Sequence, residues 1–333
     1  MNSKNDIIRA VPTNIITGFL GVGKTSAILH LLKNKPSEER WAVLVNEFGE
    51  IGVDGSLFEG QHSQEQGVFI REVPGGCMCC ASGLPMQIAL NQLLARAKPD
   101  RLLIEPTGLG HPKEVLELLS ADHYQEILAL QKTITLVDAR KLSDKRYTEH
   151  ETFNQQIAIA DTVVGNKTDL YAEEDKSRLT AYIKQNCLPS VKIVFSQHGE
   201  FELSILEGST SVAIKTPHHH HPSEKHYPVA NLPIPECGFI KAVNEGEGFK
   251  SVGWRFAHDK VFNHAKLKTF LTGIHAERMK AVFITSAGIF GYNLTADALT
   301  EIAFDDGEES RIEIISTSLS DSLEIQIMDC IET

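Results

Sequence analysis

Long apolar runs are missing from this sequence. No stretch reaches the roughly 18 consecutive apolar residues that a membrane-spanning helix needs. The first eleven residues, Met1 to Val11, are polar and mixed in charge, and they lack the apolar centre of a secretory signal. Cysteine is scarce, with six in 333 residues, and three of them crowd into Cys77-Met78-Cys79-Cys80. Neighbours that close seldom bridge each other, so no disulfide framework is expected. Positive charge is in deficit. The 32 Lys and Arg face 44 Asp and Glu, and a net charge of −12 opposes general binding to nucleic acid or to an anionic membrane. No internal repeat of fixed period appears. Together these absences favour a cytoplasmic protein whose thiols are available for metal or redox chemistry.

What is present is ordinary globular material, 42% hydrophobic and 23% charged, long enough for about two domains with large cores. Short, continuously apolar runs at 13–17, Trp41–Val45, Arg101–Ile104, Thr133–Val137, Thr162–Gly165 and Val191–Phe195 read as strands buried on both faces. Helical stretches at Ser26–Lys33, Pro85–Ala97 and Pro112–Leu119 separate some of them. The alternation predicts an α/β domain with a mostly parallel sheet and helices on both faces, spanning residues 1–215. The texture changes near residue 200. A Pro- and His-rich linker is expected over 216–235, and a smaller α+β domain over 236–333. In that domain, strands are predicted at Gly238–Val243, Val252–Phe256, Ala281–Thr285 and Ile312–Ser316, and a helix at Ala265–Gly273.

Gly18-Phe-Leu-Gly21-Val22-Gly23-Lys24-Thr25 matches G-x-x-x-x-G-K-[ST] at every fixed position, between a strand and a helix. Phosphate oxygens need several converging backbone N–H groups, glycine lets the backbone bend that closely, and the helix that follows adds its positive end. Gly18, Gly21, Val22, Gly23, Lys24, Thr25 and Ser26 are therefore the candidate phosphate-binding residues. Lys24 is assigned to the β/γ-phosphates and the Thr25 hydroxyl to Mg²⁺. Asn166-Lys167-Thr168-Asp169 follows the strand at 162–164. A carboxylate at Asp169 accepts from both N1–H and the 2-amino group of guanine, a donor pair that adenine lacks, so GTP is expected over ATP, with Asn166 and Lys167 beside it. Glu105-Pro-Thr-Gly108 ends another strand. An acid placed there lies near Mg²⁺ and the γ-phosphate, and the Gly108 N–H is positioned to sense that phosphate. Lys24 and Glu105 are the catalytic candidates. No arginine finger or water-orienting glutamine is recognisable, so intrinsic hydrolysis should be slow.

Cys77, Cys79 and Cys80 follow two glycines that free the backbone, and three thiols so close favour a soft or borderline cation between them: Zn²⁺ or Cu(I), with Co²⁺ or Ni²⁺ as further alternatives. A redox-sensitive thiol group, or buried cysteines acting as small hydrophobes, is the competing reading. Cys187, Cys237 and Cys330 are isolated and read as structural. Asn46-Glu47-Phe48-Gly49-Glu50 follows the second strand, and by pattern alone it reads equally as a ligand pair or as a solvated acidic turn. His218–His221 and His226 give weak, multivalent metal capture or form a polar linker.

The combination GFLGVGKT, NEFGE, GGCMCC, EPTG and NKTD resembles the CobW-like GTPases, which are related to the accessory GTPases of nickel-enzyme maturation. The resemblance is strong over about residues 13–200. It continues in Trp254-Arg-Phe, Lys266–Leu271 and Arg278-Met-Lys280, with one departure at Ala281, where the family usually has glycine and where a relaxed turn is expected. It implies a SIMIBI-class P-loop domain with slow, metal-stimulated GTPase activity. It also implies zinc or cobalt held by Cys77 and Cys79, with Cys80 next, and Glu47 and Glu50 as an acidic switch motif. The implied role is a metallochaperone serving a metal-dependent client protein, and a homo-oligomer is compatible with this. A zinc store or sensor with a structural nucleotide, and a cobalt-delivery factor in cobalamin synthesis, are the rival roles.

Overall fold

The computed structural model describes residues 8–46, 67–73, 84–108, 110, 112–211, 233–246, 249–295, 298–304, 307, 309–320 and 322–332. They fall into two compact units, one holding the described residues up to 211 and the other those from 233 onward.

The first unit runs β1 (Val11–Gly18), α1 (Lys24–Lys33), β2 (Trp41–Asn46), β3 (Val68–Val73), α2 (Leu84–Ala97), β4 (Arg101–Glu105), α3 (Pro112–Leu119), β5 (Leu128–Leu130), β6 (Ile134–Val137), α4 (Lys145–Thr148), α5 (Glu151–Ala158), β7 (Thr162–Gly165), α6 (Asp175–Asn186) and β8 (Lys192–Phe195). The strands lie in the order β3-β2-β4-β1-β6-β7-β8, all parallel, with β5 added beside the start of β1. Ile15 and Ile16 are consecutive on β1 and so face opposite sides, yet they are 1% and 0% exposed. Both faces of the sheet are therefore covered, as a run without alternation requires. One face packs Ile15, Leu44, Leu102 and Ile104 against Leu90 and Leu94 of α2 and Val115 and Leu116 of α3. Successive strands switch sides at β1, which sits between β4 and β6. In an open parallel sheet, such a switch opens a crevice at the carboxyl ends of the strands. The expected parallel α/β sheet is what the chain forms. Pattern reading missed β3, β5, α4, α5 and α6: β5 and α4 have three and four residues, and α6 is mostly polar and, apart from Asp175, buries only Leu179 and Ile183.

The lower edge is clamped by polar groups. Asn14 donates to the carbonyls of Lys132 and Leu206 (both 2.9 Å), and Arg101 donates to Asn14 and pairs with Glu207. The Asp161 carboxylate accepts from the Thr133 and Ser211 main chains at 2.8 and 2.7 Å. These bonds tie the chain after β8 beneath the sheet.

The second unit is a six-stranded antiparallel sheet in the order β13-β12-β11-β14-β10-β9. Its strands are β9 (Phe239–Gly246), β10 (Phe249–Phe256), β11 (Arg278–Thr285), β12 (Gly288–Leu294), β13 (Leu299–Phe304) and β14 (Ser310–Ser316). Helices α7 (His264–Thr272) and α8 (Leu323–Met328) cover one face, where Leu267, Leu271 and Ile327 meet Trp254, Phe256, Met279, Phe283 and Ile314. Phe262 packs edge-on to Phe256 and Phe283, at 5.0 and 4.6 Å between centroids. Asn263 caps α7 by accepting from Lys266 N at 3.0 Å, a contact worth about 1 kcal/mol. The opposite face is charged: Arg255 grips Glu309 at 2.7 and 2.9 Å, and Arg311 joins at 2.6 Å. Burial alone would raise the Glu309 pKa, but the two guanidiniums outweigh it and hold the carboxyl below its ordinary value.

Two expectations are corrected here. Ala281 does not lie in a turn. It is buried in the middle of β11, paired with Tyr292 and Ile312, where a methyl group packs into the core and a glycine would leave space. Cys237 is exposed, so packing does not account for it, whereas Cys330 is buried and Cys187 is half-buried with its thiol pKa pushed up to about 11 by burial. Among the described residues no helix is long and apolar enough to cross a membrane.

Candidate nucleotide site

The carboxyl end of β1 passes into the glycine loop, and α1 begins directly at Lys24. No acidic residue occupies the first turn of α1, so its positive end is not neutralised from within. Lys24 is 5% exposed, and its ammonium folds back to donate to the carbonyls of Gly18 (3.0 Å) and Phe19 (3.5 Å). The lysine thus braces the loop from inside while its charge stays at the loop's centre. Gly23 holds φ at +100°, and a Cβ there would lie 2.6 Å from the Asn166 amide, so this position needs glycine on both counts. On the outer side of the loop, the Phe19 ring meets Tyr147 and His150 edge-on at 5.1 and 4.9 Å and fixes the loop against α4 and α5. Gly21 (φ +68°), Val22 and Ser26 complete the stretch, with Val22 buried and Ser26 exposed in the first turn of α1.

Glu105, at the end of β4, is 2% exposed and accepts from the Thr25 hydroxyl at 3.2 and 3.4 Å. A buried carboxylate and a hydroxyl converging beside a phosphate loop form a hard-oxygen donor set of the kind Mg²⁺ takes. Gly108 follows, pressed against the loop: a Cβ there would lie 3.1 Å from Leu20 N and 3.2 Å from Leu20 Cα.

The chain after β7 arrives from the other side. The Asn166 side chain is committed to the scaffold, donating to Val22 O at 2.9 Å and accepting from Gly199 N at 3.0 Å. Lys167 adopts a left-handed φ of +64°, Thr168 N donates to Ser196 O, and Asp169 is exposed in the turn Thr168–Leu170. An exposed carboxylate beside a fixed amide brace leaves Asp169 accessible to a ligand.

Sequence reasoning missed three contributors. The loop Ser196–Glu200 holds Asn166 through Gly199 N and Thr168 through Ser196 O. Tyr171, whose burial pushes its hydroxyl pKa well up, accepts from Ala139 N at 2.9 Å and donates to Val137 O at 3.2 Å, linking the Asp169 turn to the end of β6. Asp138, 6% exposed at that end, is gripped by Arg140 at 2.9 and 2.6 Å. The serine and glycine after β8 were the only local signal of the first, and no local signal marked the others.

Cys77, Cys79, Cys80, Glu47, Glu50 and the histidines at 218–221 and 226 lie outside the described residues. Among the described residues, no three His, Cys, Asp or Glu side chains gather as a metal cluster.

A nucleotide-binding crevice at the switch point of a parallel sheet, entered by a glycine loop and α1, defines the P-loop class. The sequence model of the CobW/HypB/UreG nucleotide-binding domain matches residues 12–194, and the chain belongs to that family. The zinc chaperone YeiR of Escherichia coli is 41% identical over 314 residues, covering 93% of this chain and 94% of the relative. The zinc chaperone CobW of Pseudomonas aeruginosa is 32% identical over 229 residues, covering 61% of each. The Zn(II)-bound YjiA GTPase of Escherichia coli superposes with a TM-score of 0.46 at 17% identity, over 98% of this chain and 100% of that one.

Proposed function

We propose that this protein is a GTP-hydrolysing metallochaperone that binds Zn²⁺ through Cys77, Cys79 and Cys80 and couples the state of its nucleotide to metal transfer. The observation that carries the nucleotide half is the convergence of Lys24, Thr25 and Glu105 at one loop. The metal half is supported by the thiol motif and by the relatives YeiR and CobW, which are named zinc chaperones. The nucleotide phosphates lie against the loop amides and the start of α1, and Lys24 turns from Gly18 O and Phe19 O to the β/γ-oxygens. Thr25 and Glu105 would hold Mg²⁺, which would neutralise phosphate charge. Water adds to the γ-phosphorus, the bond to the β,γ-bridging oxygen breaks, and GDP and phosphate leave. Lys24 stabilises the charge that builds on the leaving side. With no arginine supplied from outside, the rate is slow. Glu47 and Glu50 join the thiol site or its switch. The receiving protein is a metal-dependent client.

Guanine choice rests on Asp169. Asp169→Asn replaces an acceptor of two N–H groups with a donor. GTP affinity is expected to fall about 10²-fold while xanthosine triphosphate, with a carbonyl at that ring position, gains. Competition titrations with the two nucleotides check this, and an unchanged preference for GTP would remove Asp169 from the base site.

The coupling is tested by measuring Zn²⁺ affinity with a non-hydrolysable GTP analogue and with GDP bound. The affinities are expected to differ by about 10-fold or more, equivalent to about 1.4 kcal/mol of coupling. Equal affinities would leave no driving force for release, and the protein would then be a store rather than a carrier.

A further inference from the structure

The turn that carries Asp169 is pinned at both ends to one acceptor. At its start, Asn166 N donates to the Val137 carbonyl at 2.9 Å, and at its end the Tyr171 hydroxyl donates to the same carbonyl at 3.2 Å. That hydroxyl also accepts from Ala139 N at 2.9 Å, and Ala139 opens the short helical stretch Ala139–Ser143. Tyr171 thus satisfies one of the N–H groups that a helix start leaves over. Burial raises the pKa of the hydroxyl, so it keeps its proton and can donate throughout the neutral range. Between the two pins the main chain is strained, with Lys167 in the left-handed region at φ +64°. Asp169 and Leu170 are exposed. An exposed side chain is not held by packing, so the Asp169 carboxylate stands where its main chain puts it.

Reading guanine through N1–H and the 2-amino group asks for both carboxylate oxygens in the plane of the base, a geometry that tolerates displacements of only about 0.5 Å. Phosphate binding, made at a separate loop, does not depend on where Asp169 stands. We infer that Tyr171 is a positioning residue for guanine specificity: its hydroxyl closes the turn 166–171 on Val137 and so sets where the Asp169 carboxylate meets the base. The other holds on this turn act ahead of Asp169, Asn166 N on Val137 O and Thr168 N on Ser196 O at 3.0 Å. Tyr171 supplies the hold beyond it. Without the hydroxyl, the Val137 carbonyl keeps Asn166 while the far end of the turn comes loose, and Asp169 lies nearer that end. The inference rests on the guanine reading of Asp169 above and adds the residue that makes the carboxylate selective.

The test compares GDP with inosine diphosphate, which differs only in lacking the 2-amino group, by calorimetric titration of the full chain alongside Tm. The wild type is expected to prefer GDP by about 10- to 100-fold, the scale of one hydrogen bond to a charged acceptor. Tyr171→Phe keeps the ring and loses the hydroxyl, and it is expected to narrow that preference by about 3- to 10-fold. A hydroxyl with a purely structural role would weaken both diphosphates by one factor and leave the preference intact. That result overturns the inference, whatever happens to Tm. The same substitution is then made in an Asp169→Ala background, where it is expected to leave the preference within about twofold, because positioning acts only through the carboxylate. A larger change there means that the hydroxyl acts by another route, and it overturns the inference equally. A wild type that binds both diphosphates alike overturns the guanine reading and the inference with it. A wild-type preference that survives Tyr171→Phe overturns the inference alone, so the two failures are distinguishable.

Discussion

Lys24→Ala is expected to lower the single-turnover rate of GTP hydrolysis by about 10²- to 10³-fold, the scale on which one preorganised charge-stabilising group acts. The geometry gives a second reason for a large effect. The Lys24 ammonium is the strut that holds the Gly18 and Phe19 carbonyls. Its removal also frees the two loop carbonyls that the ammonium spans before nucleotide binds, so the loop is less well preorganised for phosphate. Nucleotide affinity should therefore fall along with the rate. Tm without nucleotide should change little, because the loop is also fixed by Phe19 on its outer face and by Asn166 at Val22. Rapid-quench hydrolysis and an affinity titration check both parts. Hydrolysis at the wild-type rate would show that the phosphate chemistry lies elsewhere. The same variant separates a switch from a store: a store keeps its zinc handling without a working phosphate site, and a switch loses it.

The second large effect concerns the thiols. Cys77→Ser with Cys79→Ser is expected to remove one equivalent of tightly bound zinc per chain and to weaken zinc binding by about 10³-fold or more. The magnitude follows from structural zinc sites, where about 10–16 kcal/mol is shared among four ligands, so each thiolate is worth roughly 3 kcal/mol. A serine hydroxyl stays protonated at neutral pH and cannot replace a thiolate. Metal analysis of the reduced protein, with a chelator competition, measures it. A double variant that keeps its zinc would move the site to other donors, the histidines at 218–221 and 226 being the first to examine. Because the nucleotide site is built from separate elements, GDP affinity in this variant should stay within about twofold of wild type.

The parts of the candidate nucleotide site that the chain itself suggests are those where the chemistry demands contiguous residues. A loop that wraps a phosphate must place Gly23, Lys24 and Thr25 in succession, between a strand that ends and a helix that starts. Glu105 was readable because a strand terminus is a local event. Asp169 was readable because its turn immediately follows β7. The residues that brace these groups were not readable. Gly199, Tyr171 and Gln156 reach their partners across 33, 34 and 48 positions. No spacing within one segment signals such contacts. The same holds for the second unit: β12, β13 and α8 went unrecognised. Gly288 and Gly291 dilute the pattern of β12, most of β13 is exposed, and α8 has only six residues with Ile327 buried.

One residue shows the division clearly. Asn166 looked like a nucleotide ligand from its motif, and its neighbour Asp169 remains accessible to one. Yet the Asn166 amide is spent on Val22 and Gly199, where it joins the loop after β7 to the phosphate loop and to the turn after β8. The chain by itself determined the parallel α/β architecture and the candidate phosphate-contacting groups, because apolar runs and glycine turns act through neighbours in sequence. Only the tertiary structure decided how those groups are held, which carbonyls Lys24 spans and which amide, that of Gln156, reaches Gly108. Hydrogen bonds between distant segments exist only once packing has brought their partners together and excluded the water that would otherwise take their place.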